Sequence, residues 1–309
     1  MALEFYQIIL IIFIGILVGI SISFVGQTGQ GVVLPIVLII TGDVFIAIAI
    51  NLLNDFITSA FVSISYLRKK QFKLKKEIWI IMIIAICVSF IGVLILMTTP
   101  LSSVYSWVIP IFIMCLGVLF MKNGFPTIET VRNIAHKLSQ KFSRNKNNEE
   151  IDANELSDQL EKDFGKNDND EIRGYIKLGT GLYYILSIFF GVYVGFNAGL
   201  FGGNSGLIFV LALVLLYGYP LKKGVGTALV LSMINGLFTF LMYQILGNMI
   251  KSQIYFDFEI TLYLAIGAIA SGLIFSNFVQ KMSAKTMGRG IGIIIFTLGT
   301  ISLIFFFLF

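Results

Sequence analysis

Two short stretches have the composition of a neutral ligand cradle. Gly26, Gln27, Thr28, Gly29, Gln30 and Gly31 are consecutive, and Gly202, Gly203, Asn204, Ser205 and Gly206 repeat the theme in the other half of the chain. Glycine lets a ligand approach the backbone closely, while amide and hydroxyl side chains donate hydrogen bonds without charge. Each stretch opens into a short apolar run, so its N–H groups stand at a helix start, where about half a positive charge collects. Two such ends facing one cavity would bind an anion without lysine or arginine. Asn51 and Thr227, in longer apolar segments, add further neutral donors. The alternative is that these glycines only let helices cross closely, which does not explain the amides and hydroxyls beside them.

Asp55 stands about eleven residues from either end of its apolar segment. A carboxylate at that depth is costly, no lysine or arginine lies at a matching depth within an apolar segment to pair with it, and its charge would repel a bound anion. Protonation removes both penalties, which gives Asp55 a proton-coupling role. The alternative is a structural Asp55 bonded to Asn51 or Asn54. The sole histidine, His136, lies in the polar middle of the chain, and Cys87 and Cys115 sit in apolar stretches with no metal or redox spacing. Both cysteines read as packing residues, no metal or other cofactor is expected, and a membrane-embedded enzyme has no nucleophile or base to work with.

The elements that must position these residues are membrane helices. The chain is 57% hydrophobic and only 13% charged, with a mean hydropathy of +0.91, beyond the roughly 45–50% apolar content of soluble domains. Apolar segments are expected at 5–24, 44–67, 78–98, 102–121, 179–200, 225–246, 260–279 and 288–309, with short pieces at 32–41 and 206–217. One crossing takes roughly 20 residues, so the short pieces cannot span alone. The polar breaks before them must face protein or a cavity.

Six of the nine residues from Arg68 to Lys76 are basic, and Lys222, Lys223, Lys281, Lys285 and Arg289 mark further loops of the same kind. The positive-inside bias puts all of them in the cytosol, leaving both termini outside a multi-pass protein of the cell membrane. The net charge of +5 thus reflects sidedness and contact with membrane lipid; no nucleic acid partner is implied. Residues 122–177 carry ten basic and eleven acidic side chains. Within them 127–144 suits an interfacial amphipathic helix and 145–170 is rich in charge.

The chain therefore divides into a first transmembrane repeat at 1–121, a cytosolic polar insert at 122–178 and a second transmembrane repeat at 179–309. A shift of 176 residues carries Gly15 onto Gly191, Gly19 onto Gly195, Gly26 onto Gly202, Gly42 onto Gly218 and Asn51 onto Thr227. Five segments per half, an odd number, make the second copy enter from the opposite face. The expected fold is all-α, two inverted five-segment repeats with short broken helices near the midplane, an architecture of secondary transporters.

Ala49, Ile50, Asn51, Leu52, Leu53 and Asn54, following the glycine-rich break and a short apolar stretch with Pro35, resemble the first repeat of the TauE/SafE sulfite exporter family. Gly224, Val225, Gly226, Thr227, Ala228 and Leu229, then Gly247 and Asn248, then Ser283, Ala284 and Lys285, are similar to its second repeat. The resemblance implies transport of a small sulfur-containing anion: sulfite, an organosulfonate or a relative. With no Walker motif present, an ion or substrate gradient would drive it. The competing reading is a non-transporting membrane scaffold acting through the insert. The pattern does not set the oligomeric state.

Overall fold

A computed structural model describes residues 3–26, 30–72, 74, 78–99, 180–203, 206–217, 219–283 and parts of 286–300. Eight helices are bounded within them: α1 Phe5–Val25, α2 Gln30–Thr41, α3 Val44–Arg68, α4 Ile78–Thr98, α5 Thr180–Phe201, α6 Gly206–Leu215, α7 Leu221–Lys251 and α8 Phe258–Val279. All but α2 and α6 are long and apolar enough to cross a bilayer, giving six candidate spans. Among the described residues the structure is all-helical, and its six candidate spans are those of a multi-pass membrane protein. The insert, the 102–121 segment, Cys115 and His136 lie outside the described residues, as does much of 288–309.

Local chemistry sets the helix ends. The Asp43 carboxylate accepts from the Phe45 amide at 2.7 Å and Asp257 accepts from Ile260 at 3.1 Å, capping α3 and α8. Glycines in the left-handed region close α1 at Gly26 and α5 at Gly202. Helix α7 extends past the expected 225–246 segment at both ends. Pro220 pre-sets its entry, and Lys222, Lys223 and Lys251 sit in its terminal turns, where long side chains can carry their charge to the interface. Large apolar side chains such as Phe5, Phe13, Ile83, Phe189 and Ile274 are exposed, forming the lipid-facing surface. Cys87 is exposed among them, so it faces outward and does not pack in the core as its sequence setting suggested.

The helices of the two halves interleave. Helix α1 packs on α8 and α4 packs on α5, while α3 and α7 cross between the pairs. Gly15 faces the Leu264 carbonyl and Gly19 that of Ala268; correspondingly, Gly191 faces Ile81 and Gly195 faces Ala85. The next turn repeats the match, with Ser23 Oγ donating to the Gly272 carbonyl at 2.8 Å and Gly199 lying against that of Ser89. Small residues at these crossings let the backbones approach. Tyr66 Oη donates to the Ser23 carbonyl at 2.8 Å, and Tyr243 Oη to that of Gly199 at 2.6 Å.

These pairs correct one detail of the alignment. Ser23 and Gly199 are 176 residues apart, whereas Tyr66 and Tyr243, like the caps Asp43 and Pro220, are 177 apart. One residue more lies between Gly199 and the start of α7 than between Ser23 and the start of α3. Asn51 therefore corresponds to Ala228, not Thr227, and Asp55 corresponds to Ser232.

Charge is sorted by end. Lys69 Nζ reaches Asn277 Oδ1 at 3.0 Å and Gly226 lies against the Gln71 carbonyl. These contacts gather the exit of α3, the entry of α7 and the exit of α8, with Lys69, Lys70, Lys222 and Lys223, at one end. At the other end Lys251 Nζ lies 4.0 Å over the Phe45 ring, and Phe45 packs on Tyr255 with ring centroids 5.1 Å apart.

Candidate functional site

Each break is held by a long helix of the opposite half. Gly26 closes α1 at φ 65°, its N–H bonded to the Ile22 carbonyl, and its own carbonyl accepts from Ser232 Oγ of α7 at 3.3 Å. A Cβ on Gly26 would lie 3.7 Å from both Ala228 and Leu229. Gly202 closes α5 at φ 62°. Its N–H bonds to the Ala198 carbonyl at 3.1 Å and that of Gly203 to Asn197 at 3.2 Å, a two-bond closure that favours glycine. The Gly202 carbonyl accepts from Asn51 Nδ2 of α3 at 2.7 Å, and the glycine rests against the Ile48 side chain.

The structure thus brings Asn51 to one break and Ser232 to the other, and Gln30 and Gly206 open the short helices α2 and α6. Gln27, Thr28, Gly29, Asn204 and Ser205 lie outside the described residues. Thr227 is buried and its hydroxyl donates back to the Lys223 carbonyl of its own helix at 2.8 Å. It adjoins Ala228, which touches Gly26.

Polar side chains continue from the breaks along both long helices. On α3, Asn51, Asn54, Asp55, Thr58 and Ser59 are fully buried, and on α7 so are Ser232, Asn235 and Thr239. Their spacing of three or four residues keeps each set on one helix face. Thr58 Oγ1 reaches Asn54 Oδ1 at 3.4 Å. Among the described residues no hydrogen bond reaches Asn51 Oδ1, Asn54 Nδ2, Ser59 Oγ or Thr239 Oγ1. A buried polar group left unmet costs about 1–3 kcal/mol, so this face suits contact with water or a polar solute better than dry packing.

Sequence inspection missed Ser232, Asn235 and Thr239. Their recurrence on one face of α7, ending at Tyr243, was the available signal, and it matches the set that starts at Asn51 on α3. Tyr66 and Tyr243 were missed too, although each hydroxyl bonds a carbonyl near the end of a span of its own half, Ser23 of α1 and Gly199 of α5. Among the described residues no three His, Cys, Asp or Glu side chains gather as metal ligands would.

The family model described as sulfite exporter TauE/SafE matches residues 11–301. No curated protein and no solved structure gives a match. Since the match covers both halves and the breaks, the chain belongs to the TauE/SafE sulfite exporter family, a family of membrane transporters.

Proposed function

We propose that this chain is a secondary transporter whose substrate is sulfite, an organosulfonate or a similar small sulfur-containing anion. One observation carries the reading. The glycine break of each half is tied through its carbonyl to a polar, buried helix of the other half, Gly202 to Asn51 and Gly26 to Ser232. In this reading the two breaks share one polar lane between α3 and α7, to which Asn51, Asn54, Ser59 and Thr239 contribute unmet polar groups. An oxyanion suits such a lane, and its binding is assigned to the N–H and side-chain donors of Gln27, Thr28, Gly29, Gln30, Gly203, Asn204 and Ser205. The helix starts of α2 and α6 supply the positive potential.

The halves are inverted copies in this reading, with the basic end cytosolic and both termini outside. Exchange of the two halves' arrangements would open the lane to one side and then the other. Asp55, fully buried on α3, carries the coupling proton. A neutral Asp55 tolerates a nearby anion and a charged one repels it, so anion affinity falls as pH rises, by at most about tenfold per unit. The ionisable residues on the elements packed against α3 are Lys222, Lys223, Tyr243 and Lys251 of α7, Glu259 and Tyr263 of α8, and Tyr6 of α1. Of these only Tyr243 stands far from a helix end, and its hydroxyl is engaged with Gly199.

Uptake into proteoliposomes of sulfite, thiosulfate, sulfoacetate, taurine and sulfate tests the reading. At least one sulfur anion should be carried, and deletion of 145–170 should leave most of that flux. No uptake of any of them by folded protein, together with loss of a cellular phenotype on the same deletion, would favour a scaffold acting through the insert.

A further inference from the structure

The outer helix pairs of the two halves match turn for turn, but their breaks do not. If Gly26 and Gly202 stood in equivalent places, the partner of Gly202 would be the counterpart of Ser232, which is Asp55. Its partner is Asn51, four residues earlier. The neighbouring contacts show the same offset. Gly26 lies against Ala228 and Leu229, whose counterparts are Asn51 and Leu52, whereas Gly202 lies against Ile48. Two separate sets of contacts thus place the second break one helical turn nearer the start of α3 than the first break's position on α7 would dictate.

We infer that the Gly202 break has a second seat one turn along α3, in which protonated Asp55 takes the place of Asn51 as donor to the Gly202 carbonyl. The inference rests on the transporter reading and gives its proton a structural task. A carboxylate can only accept hydrogen bonds, whereas a carboxylic acid has one O–H to donate. The second seat is therefore closed to ionised Asp55 and open to the neutral form. The amide of Asn51 donates at any pH, so the seat seen here needs no proton. The exchange is reciprocal: Gly26 would pass from Ser232 to the position of Ala228, which has no donor. Asp55 would thus be, among the described residues of α3 and α7, the side-chain donor to a glycine carbonyl in the exchanged arrangement. One-turn shifts of one element past another, about 5.4 Å, are an established form of bistable packing.

The test needs no substrate, so its failure is distinguishable from failure of the transport reading. The Gly202 turn is bonded to Ala198 and Asn197, so α5 moves with it. Spin labels at the exposed positions Tyr184 of α5 and Ile64 of α3, introduced as cysteines with Cys87 and Cys115 replaced by serine, report the distance between the helices by pulsed electron resonance. At pH 8 wild type should show one distance, and at pH 5 a second population should appear, displaced by up to about 5 Å. Asp55→Asn, which can donate at any pH, should show both populations throughout, and Asp55→Ala only the unshifted one. A single distance shared by wild type and Asp55→Asn across this pH range would overturn the inference.

Discussion

The two halves are alike where they hold the fold together and unlike where they meet the polar lane. Gly19 against Ala268 and Gly195 against Ala85 are the same crossing built twice, and Tyr66 and Tyr243 anchor the long helices in the same way. At the breaks a short amide bond of 2.7 Å in one half faces a hydroxyl bond of 3.3 Å in the other. Close backbone crossings tolerate no displacement because there is no side chain to rearrange. A polar lane offering a donor every turn tolerates several seatings. Symmetry in the frame and asymmetry at the breaks are the pattern on which the proposed two-state carrier rests.

The largest effect should come from the frame. A Cβ at Gly15 or Gly19 would run into backbone carbonyl oxygen, whereas at Gly191 the nearest atoms belong to the Ile84 side chain at 2.9 Å. Gly19→Val and Gly195→Val should each cost about 3 kcal/mol or more, with overpacking of this kind typically 1–3 kcal/mol or occasionally above. Gly15→Ala should be the more damaging member of the pair with Gly191→Ala. Thermal unfolding in detergent would check this, and equal losses for Gly15→Ala and Gly191→Ala would mean that the matched crossings relax alike.

Next comes the asymmetry itself. Asn51→Ala leaves the buried Gly202 carbonyl without its donor and should cost about 1–3 kcal/mol. Ser232→Ala breaks a longer bond and should cost about 0.5–1 kcal/mol. Equal losses on unfolding would erase the distinction drawn between the breaks. Smaller still, Tyr66→Phe and Tyr243→Phe should each lose about 1 kcal/mol or less, and equally, because they occupy equivalent places; flux should persist in both. The weakest effect belongs to Lys69→Ala, whose partner Asn277 is at the exposed end. A change within about 0.5 kcal/mol is expected for such a surface site.

Much of the frame was legible in the sequence because span length and glycine spacing are physical constraints that survive in one dimension. Helix α4 spans Ile78–Thr98 as hydropathy dictates, and Gly15 with Gly191 announced the crossings. The one-residue difference before α7 was not legible, since Tyr219 falls between two helices where neither hydropathy nor glycine spacing marks a register. It surfaced only through hydrogen bonds that fix Tyr66 and Tyr243 to equivalent carbonyls. Of the candidate site, Asn51 was named for its depth and Gly202 for its break, and the two prove to be hydrogen-bonded to each other. Ser232 went unnoticed because a lone serine in a membrane helix is common and bonds readily to its own backbone. Thr227 was chosen by alignment with Asn51, and the register removes that ground while leaving it beside the first break.

The central claim is that both halves build one anion site. Calorimetric titration of the purified protein with the transported anion tests it, using wild type, Gly29→Leu and Gly203→Leu, each shown to be folded by helix content and gel filtration. The account predicts about one anion per chain for wild type and loss of that binding in either variant alone, since one shared lane cannot be half removed. Two anions per wild-type chain, with one retained in each variant, would contradict it and divide the lane into two independent sites.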